Sequence, residues 1–246
     1  TTSSVNYLIV ASDDTTSSAN PAVVAKTNLA SGANGNNPLT DAEAVTALDL
    51  LSRSYKSGAV SLPGRTGTTI WNGLVAHAQA NNRIAICGFG STQTAAQAKT
   101  AASAYYSNAG ASHMGFYFPH VKVPAPASSE LASLNEAGSA VEPTPLTSTV
   151  TIDPTAYVAA ARTRAIEAAG GPWRAGAGQI SSAITITDLA TNVTPAVGDL
   201  LDEARVNGLR KIGGQIRVYG ARSVSNDEAN WRFITLRDTV NYIVYG

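Results

Sequence analysis

The fold is decided by one stretch in the first half of the chain, Arg83-Ile84-Ala85-Ile86-Cys87-Gly88-Phe89-Gly90-Ser91. Its apolar residues predict a strand, and its glycines predict a tight turn. The alanine-rich segment from Thr94 to Tyr106 then has the composition of a helix. The same order occurs upstream, where a short strand at Gly58 to Leu62 precedes a helix that contains Trp71. Strands that alternate with helices predict an α/β fold, a mixed sheet flanked by helices.

Other segments carry the same local signals. Apolar alternation predicts further strands at Val5 to Val10, Met114 to Val123, Ile184 to Thr187 and Ile216 to Val218. Capping residues and glycines predict three further helices: one after the Thr40-x-x-Glu43 capping box, one from Asp153-Pro154 to Gly170-Gly171, and one from Thr194-Pro195 to a turn near Asn207-Gly208. Apolar spacing predicts a last helix that has Phe233, Leu236, Val240 and Ile243 on a single face. The alternation therefore extends over most of the chain.

A proline-, serine- and alanine-rich stretch, Pro124 to Ser148, interrupts the alternation. It has little to bury, so it is a long Pro-rich arm, an ordered insertion or a mobile loop. It either divides the chain in two or forms an excursion from one domain. We expect residues 1–31 to supply a strand and polar loops at the edge of a preceding domain. Residues 32–246 are expected to form a core domain that is interrupted at 124–148.

The composition restricts the classes of partner. Lys and Arg together number 17, as do Asp and Glu, and only 14% of the 246 residues are charged. A neutral chain has no electrostatic reason to bind nucleic acid or an anionic lipid surface. A net charge near zero also does little to oppose self-association. No apolar run reaches the ~20 residues that a membrane-spanning helix needs, so we expect neither a nucleic-acid partner nor direct membrane insertion.

Known motifs of catalysis or metal binding are not evident, so we expect no catalytic residue, metal or cofactor. The glycine turn Gly88 to Ser91 lacks the lysine of a P-loop and the third glycine of a dinucleotide fingerprint, which favours a strand-to-helix turn. A Gly-x-Ser-x-Gly elbow is also missing. None of the three histidines has a second ligand at zinc spacing, and His77 is expected to face solvent or a partner. The single cysteine, Cys87, is expected to be a buried strand residue.

The most specific motif is a strand, a polar turn and a helix within residues 218–237. Val218-Tyr219-Gly220-Ala221-Arg222-Ser223 is followed, after Asp227, by Trp231-Arg232-Phe233-Ile234-Thr235-Leu236-Arg237. This pattern closely resembles the signature of contractile-tail sheath proteins of phages, pyocins and related injection systems. In that family a Val-Trp-Gly-Ala-Arg-Thr strand leads through a polar turn into a Trp-Arg-Tyr helix. Here Tyr219 and Ser223 replace the usual Trp and Thr, and Asp238 stands where a second Arg often follows Arg237.

Earlier segments resemble the family in the same order. They are the loop Gly32-Ala33-Asn34-Gly35, the strand end Val60-Ser61-Leu62-Pro63-Gly64, the motif Tyr117-Phe118-Pro119-His120, the segment from Val158 to Arg162, the block Gly171-Pro172-Trp173-Arg174-Ala175, and a turn at Asn207. Arg164 occupies a position where an Asp is usual. Each of these motifs is weak alone, and their shared order from about Gly32 to Tyr245 carries the resemblance.

The resemblance implies a mechanical function. The chain would be a structural subunit of a contractile tail sheath, a homo-oligomer of stacked rings around a tail tube. It would contact tube and baseplate proteins and contract to drive the tube through a host envelope. It would belong to a virion tail assembled in the cytoplasm of a bacterial host, and it would not be an enzyme. The family's N-terminal Pro-Gly-Val-Tyr segment and C-terminal segment are absent from this sequence, so we expect a fragment that is monomeric by itself.

Structural or assembly roles are expected for the family-signature residues, which are Tyr219, Gly220, Ala221, Arg222, Trp231, Arg232, Arg237, Trp173, Arg162 and Asn207. In one hypothesis, the three arginines after position 220 surround Trp231 and donate hydrogen bonds to the turn Asn226-Asp227-Glu228, which makes the subunit rigid. In the other, some of these arginines bridge neighbouring subunits. An alternative function is that of a monomeric virion surface or host-binding module, although such modules are usually all-β.

Overall fold

The structure is a computed structural model that describes residues 39–51, 56–125, 149–183 and 185–245. These residues belong to one compact unit, Leu39–Gly246. The strand expected at Val5 to Val10, the loop at Gly32 to Gly35 and nearly all of the proline-rich stretch lie outside the described residues. The domain boundary expected at position 31 lies outside them as well and stays a prediction.

The described strands form two sheets. They are β1 (Ala59–Val60), β2 (Ile84–Cys87), β3 (Met114–Phe118), β4 (Val121–Pro124), β5 (Thr149–Ile152), β6 (Asp188–Leu189), β7 (Val206–Ile212) and β8 (Gln215–Val218). The larger sheet has the order β1-β2-β3-β7-β8. Its first four strands are parallel, and β8 runs antiparallel to β7. The smaller sheet is antiparallel, in the order β5-β4-β6.

The described helices begin and end at local signals. They are α1 (Asp41–Thr46), α2 (Thr68–Asn81), α3 (Ala95–Ser103), α4 (Thr155–Ala169), α5 (Pro195–Glu203), α6 (Glu228–Trp231) and α7 (Ile234–Tyr245). Thr40 and Glu43 form the predicted capping box of α1, because each side chain accepts a backbone N–H of the other residue. Gly170 ends α4 in a left-handed conformation. The predicted α/β class, a mixed sheet flanked by helices, is confirmed.

Helices cover both faces of the larger sheet, so its strands contribute to two apolar layers. In one layer, buried residues of β2 and β3 pack with α2, α3 and α5, and Cys87 is buried there as predicted. An aromatic cluster fills this layer: the ring of Phe116 lies 5.2, 5.0 and 5.7 Å from the rings of Trp71, Phe89 and Tyr105. In the other layer, alternate residues of the same strands pack with α4 and α7.

Two predicted elements are wrong in position. Of the strand predicted at Ile184 to Thr187, the described residues 185–187 are not a strand, and Asp188–Leu189 form one instead, because the chain first bonds to β4 at Thr187, whose N–H donates to the Lys122 carbonyl. The turn predicted near Asn207-Gly208 is part of β7. The reason is that α5 ends at Glu203, and Arg205, with a φ of 56°, turns the chain directly into the strand.

His77 lies on the buried side of α2, so the expectation of a solvent- or partner-facing ring is wrong. Its Nε2 atom lies 2.7 Å from a guanidinium nitrogen of Arg83, at the start of β2. Burial, with a further contribution from the Arg83 charge, lowers the pKa of His77. The imidazole is therefore held neutral between α2 and the sheet.

The last helix, α7, presents an apolar face to solvent. Of the four apolar residues predicted to share a helical face, Leu236, Val240 and Ile243 lie in α7 and are 38 to 72% exposed, whereas Phe233 precedes the helix and pairs with Arg222. The buried side of the helix carries Ile234, Asp238 and Asn241. Gly115 of β3 makes room for this side, because a Cβ at Gly115 would overlap the Cδ1 atom of Ile234.

The loop after α4 packs directly on the backbone of that helix at Gly176. A Cβ at Gly176 would lie 2.7 Å from Arg162 Cα and 2.8 Å from Arg162 N. Because backbone atoms cannot rotate away, only glycine fits without a shift of the loop or the helix. This contact positions the loop that contains Trp173.

We predict that Gly176→Ala lowers the free energy of unfolding by about 1 to 3 kcal/mol, the usual cost of overpacking. Urea denaturation followed by circular dichroism measures this change. Gly58→Ala is the matched control, because a Cβ at Gly58 meets no atom within 4 Å. The control should leave the unfolding free energy unchanged or raise it slightly. Equal losses in the two variants would contradict the close contact.

Candidate assembly site

The side chain of Asn207 in β7 fixes the family-signature segment. Asn207 is fully buried. Its Oδ1 atom accepts from the Arg222 N–H (2.7 Å), and its Nδ2 atom donates to the carbonyls of Phe116 (3.1 Å) and Arg222 (2.9 Å). One amide therefore joins β3, β7 and the segment that follows β8, with both of its polar atoms satisfied.

Gly220 allows the backbone of this segment to approach Asn207. A Cβ at Gly220 would lie 2.7 Å from Asn207 Oδ1 and 3.2 Å from Asn207 Cα. The next residue, Ala221, connects the segment to the last helix, because its carbonyl accepts from the Ile234 N–H (2.9 Å). Gly220 and Ala221 thus join the sheet to the start of α7.

The guanidinium of Arg222 links α5 to α6. It donates to the carboxylate of Asp202 (2.8 Å) and to the carboxylate of Glu228 (2.8 Å). Glu228 also accepts from Arg205 (3.0 Å), and this hydrogen bond together with the charge of Arg222 lowers the pKa of Glu228. The Arg222 side chain is 11% exposed, whereas both acids remain hydrated. Each ion pair alone contributes little to the stability of the fold, so the main effect of the network is to hold the Arg222 side chain in one geometry.

Trp231 and Arg237 stack where α6 meets α7. The guanidinium carbon of Arg237 lies 3.4 Å from the centroid of a Trp231 ring, a cation–π contact. The Arg237 Nε atom also donates to Ser112 Oγ (3.1 Å), next to β3. On the other side, the Ser223 hydroxyl donates to the Trp231 carbonyl. These contacts hold the polar turn and the two helices together.

Only one of the three arginines after position 220 binds an acid of the predicted turn. Arg222 binds Glu228, whereas Arg237 binds Ser112 and the guanidinium of Arg232 lies 5.5 Å from the ring of Phe233. The arginine–carboxylate network within the subunit is therefore centred on Arg222. Bridging of neighbouring subunits by these arginines stays a prediction.

A second, buried ion pair fastens α7 to α4. The Nε and Nη2 atoms of Arg162 donate to the two carboxylate oxygens of Asp238, each over 2.6 Å. Bidentate pairs of this kind are the stronger class of hydrogen bond. Burial raises the pKa of Asp238, and the hydrogen bonds from Arg162 oppose that rise. Asp238, which departs from the usual Arg of the sheath signature, is thus the partner of another signature residue.

Two signature aromatic residues lie at the surface. Trp173 is 56% exposed, and its ring meets the ring of Tyr242 edge-on at a centroid distance of 6.5 Å. Tyr219 is also exposed, with the guanidinium of Arg210 lying 4.6 Å from its ring centroid. The contacts described above connect the other signature residues to one another or to α7.

Sequence reasoning missed the partners of the signature residues. Asp202, Arg205 and Ser112 lie far from the signature along the chain or outside its motif, and no local spacing marks them. The two departures from the family pattern, Arg164 and Asp238, do not pair with each other: Asp238 binds Arg162, whereas Arg164 donates to the Ser182 carbonyl (2.8 Å).

The glycine turn between β2 and α3 is built as a connection. The Gly90 N–H donates to the Gln93 side chain (2.7 Å), and a Cβ at Gly88 would lie 2.7 Å from the Asp153 carboxylate. A carboxylate at this position disfavours a bound phosphate. Among the described residues, no cluster of three or more His, Cys, Asp or Glu could hold a metal ion. No helix in the described ranges has the length and apolar character to cross a membrane.

We predict that Asn207→Ala lowers the free energy of unfolding by about 2 to 3 kcal/mol, because a buried group left unpaired costs about 1 to 3 kcal/mol. The Arg222 N–H would lose its acceptor. The matched control is Asn192→Ala, which removes the same atoms at an exposed position and should cost under about 0.5 kcal/mol. Chemical denaturation of both variants measures these free energies. A loss in Asn207→Ala no larger than that of the control would contradict the proposed role of the Asn207 hydrogen bonds.

Comparison with known proteins connects this fold to contractile particles. No protein-family model and no curated protein matches the chain. Among solved structures, a chain of the helical sheath of the anti-feeding prophage in its contracted state is similar over 83% of this chain, with a TM-score of 0.55 and 16% identity. A chain of the anti-feeding prophage baseplate is similar over 71% of this chain, with a TM-score of 0.47 and 16% identity.

This chain spans about half the length of the prophage sheath chain (49%) and 38% of the baseplate chain. At 16% identity the likeness to the sheath chain establishes a common fold. The resemblance to contractile-tail sheath proteins is therefore confirmed at the level of the fold.

Proposed function

We propose that this chain is the body of a contractile-tail sheath subunit, a structural protein that assembles with copies of itself around a tail tube. The observation that carries the proposal is the likeness to the contracted prophage sheath over 83% of the chain. The sheath-like signature at 218–237 supports it, because Asn207 and Arg222 bind that segment to the rest of the fold. A structural role is favoured over an enzymatic one, since the prophage sheath that the fold resembles is an assembly component of a contractile system.

The contacts of the assembly site support a rigid subunit. A sheath changes length when its subunits exchange one set of mutual contacts for another while each subunit keeps its shape. Arg222 ties α5 to α6, Asn207 ties the signature to two strands, and Asp238 ties α7 to α4. A force applied to one of these elements would therefore move the whole unit.

Contraction in this proposal uses energy stored during assembly and needs no nucleotide hydrolysis. Stacked rings of subunits would surround the tube in an extended, metastable state and then shorten, which drives the tube through a host envelope. Tube and baseplate proteins would be the partners, and the particle would assemble in the cytoplasm of a bacterial host. The low charged fraction of the chain, 14%, and its net charge of zero permit close packing of copies.

We predict that the protein expressed from its complete natural reading frame forms striated tubes or stacked rings in negative-stain electron microscopy. The 246-residue chain, imaged beside it at equal concentration, serves as the control and should show dispersed particles. A tail tube supplied as template should increase the number of tubes. If no ordered assembly formed even with the template, a monomeric virion surface or host-binding module would become the better proposal.

A further inference from the structure

The exposed side of α7 is an extended apolar surface. We call it the α7 outer face, and it consists of Leu236, Val240, Ile243 and Val244, together with Phe233 just before the helix. The two charged residues of the helix do not contribute to this face. Asp238 is buried against Arg162, and Arg237 lies on the Trp231 ring. These residues present apolar and aromatic groups to solvent, and the charge beside them is the exposed guanidinium of Arg232, 5.5 Å from the Phe233 ring.

The orientation of α7 is the reverse of that of an ordinary surface helix. A surface helix of a globular protein turns its apolar stripe to the core and its polar side to water. The core-facing side of α7 instead carries Asp238 and Asn241, with Ile234 as its buried apolar residue. Asn241 is fully buried, and its amide oxygen and nitrogen have no hydrogen-bond partner. On its buried side the helix is held by the Asp238–Arg162 ion pair and by Ile234, which leaves its apolar side free for another surface.

We propose that the α7 outer face docks onto a second copy of this chain. The proposal rests on the proposed sheath function and names the surface that one copy would use to contact the next. Half-exposed side chains of this size present roughly 450 Å², within the range that monomers expose. This is over half of the about 800 Å² per partner in a standard-size interface, so a weak contact that forms at high local concentration is expected.

Charge favours a second copy over other partners. The side chains of the α7 outer face are uncharged, and one exposed cation at its edge, Arg232, is too little charge to select nucleic acid, an anionic membrane or an acidic protein. The chain itself has no net charge, so two copies approach without long-range repulsion. A second copy also offers exposed apolar side chains on other elements, among them Leu50, Leu51 and Ile152. Contact between two different surfaces repeats from copy to copy, which builds rings or helical assemblies.

Sedimentation velocity of the 246-residue chain from about 10 µM to about 1 mM tests the contact. The average mass should start at the monomer value of 25.3 kDa and rise with concentration. Val240→Glu/Val244→Glu places two charges on the α7 outer face and should weaken association at least about tenfold. The matched control, Ala96→Glu/Thr100→Glu, adds the same charges at the same spacing on the exposed side of α3 and should associate like the unchanged chain.

Circular dichroism first checks that both variants are folded, which is expected because the four substituted side chains are exposed. If the unchanged chain stayed at 25.3 kDa at the highest concentration, the proposal would be overturned. Equal association of the α7 variant and the unchanged chain would overturn it as well.

Electron microscopy of the α7 variant in the complete reading frame separates this proposal from the sheath function. Tubes from the unchanged protein and none from the variant support both. Tubes from both proteins would leave the sheath function standing and remove the α7 contact. Loss of tubes without any change in the sedimentation of the 246-residue chain would assign the face to a different tail component and so overturn docking onto a second copy. Absence of tubes from the unchanged protein counts against the sheath function, and sedimentation still decides the α7 contact.

Discussion

The bidentate ion pair between Arg162 and Asp238 is the contact on which the arrangement of the last helix depends. Among the side chains of α7 that the structure describes, only that of Ile234 belongs to the buried residues of its apolar layer. One buried isoleucine contributes about 2 kcal/mol, which is too little to hold a twelve-residue helix against a sheet. A buried ion pair loses the hydration of both charges and stabilises a fold only when its geometry is good. The two 2.6 Å bonds of this pair meet that condition.

Directional polar contacts also connect the rest of the signature. The Asn207 amide holds the segment after β8 by its backbone, and Arg222 then joins α5 and α6. Such contacts specify one geometry, whereas apolar contacts tolerate sliding and repacking. Under the proposed sheath function, directional contacts within the body would keep its shape, and the apolar face on its surface would let the contacts between copies be exchanged.

Local signals in the sequence predicted most of the elements, and contacts between distant residues account for the errors. Thr40 begins one helix and Gly170 ends another through bonds to neighbouring residues, so their roles could be predicted from spacing alone. The prediction of a turn near Asn207 was wrong, because Arg205 adopts a left-handed conformation and the connection between α5 and β7 ends before Asn207. The apolar spacing of α7 is real, but spacing cannot tell which side of a helix meets the sheet. That choice is made by Asp238, whose partner lies in another helix.

Native-state hydrogen exchange of α7 tests most directly whether the ion pair holds this helix. In Arg162→Met, Asp238 stays buried without its partner, so we predict that amide protection falls throughout α7 while β2 and β3 keep theirs. In Arg162→Met/Asp238→Leu no buried charge is left unpaired, and protection of α7 should return toward that of the unchanged chain. Unchanged protection of α7 in Arg162→Met would contradict the claim and would show that the helix is held by its other contacts.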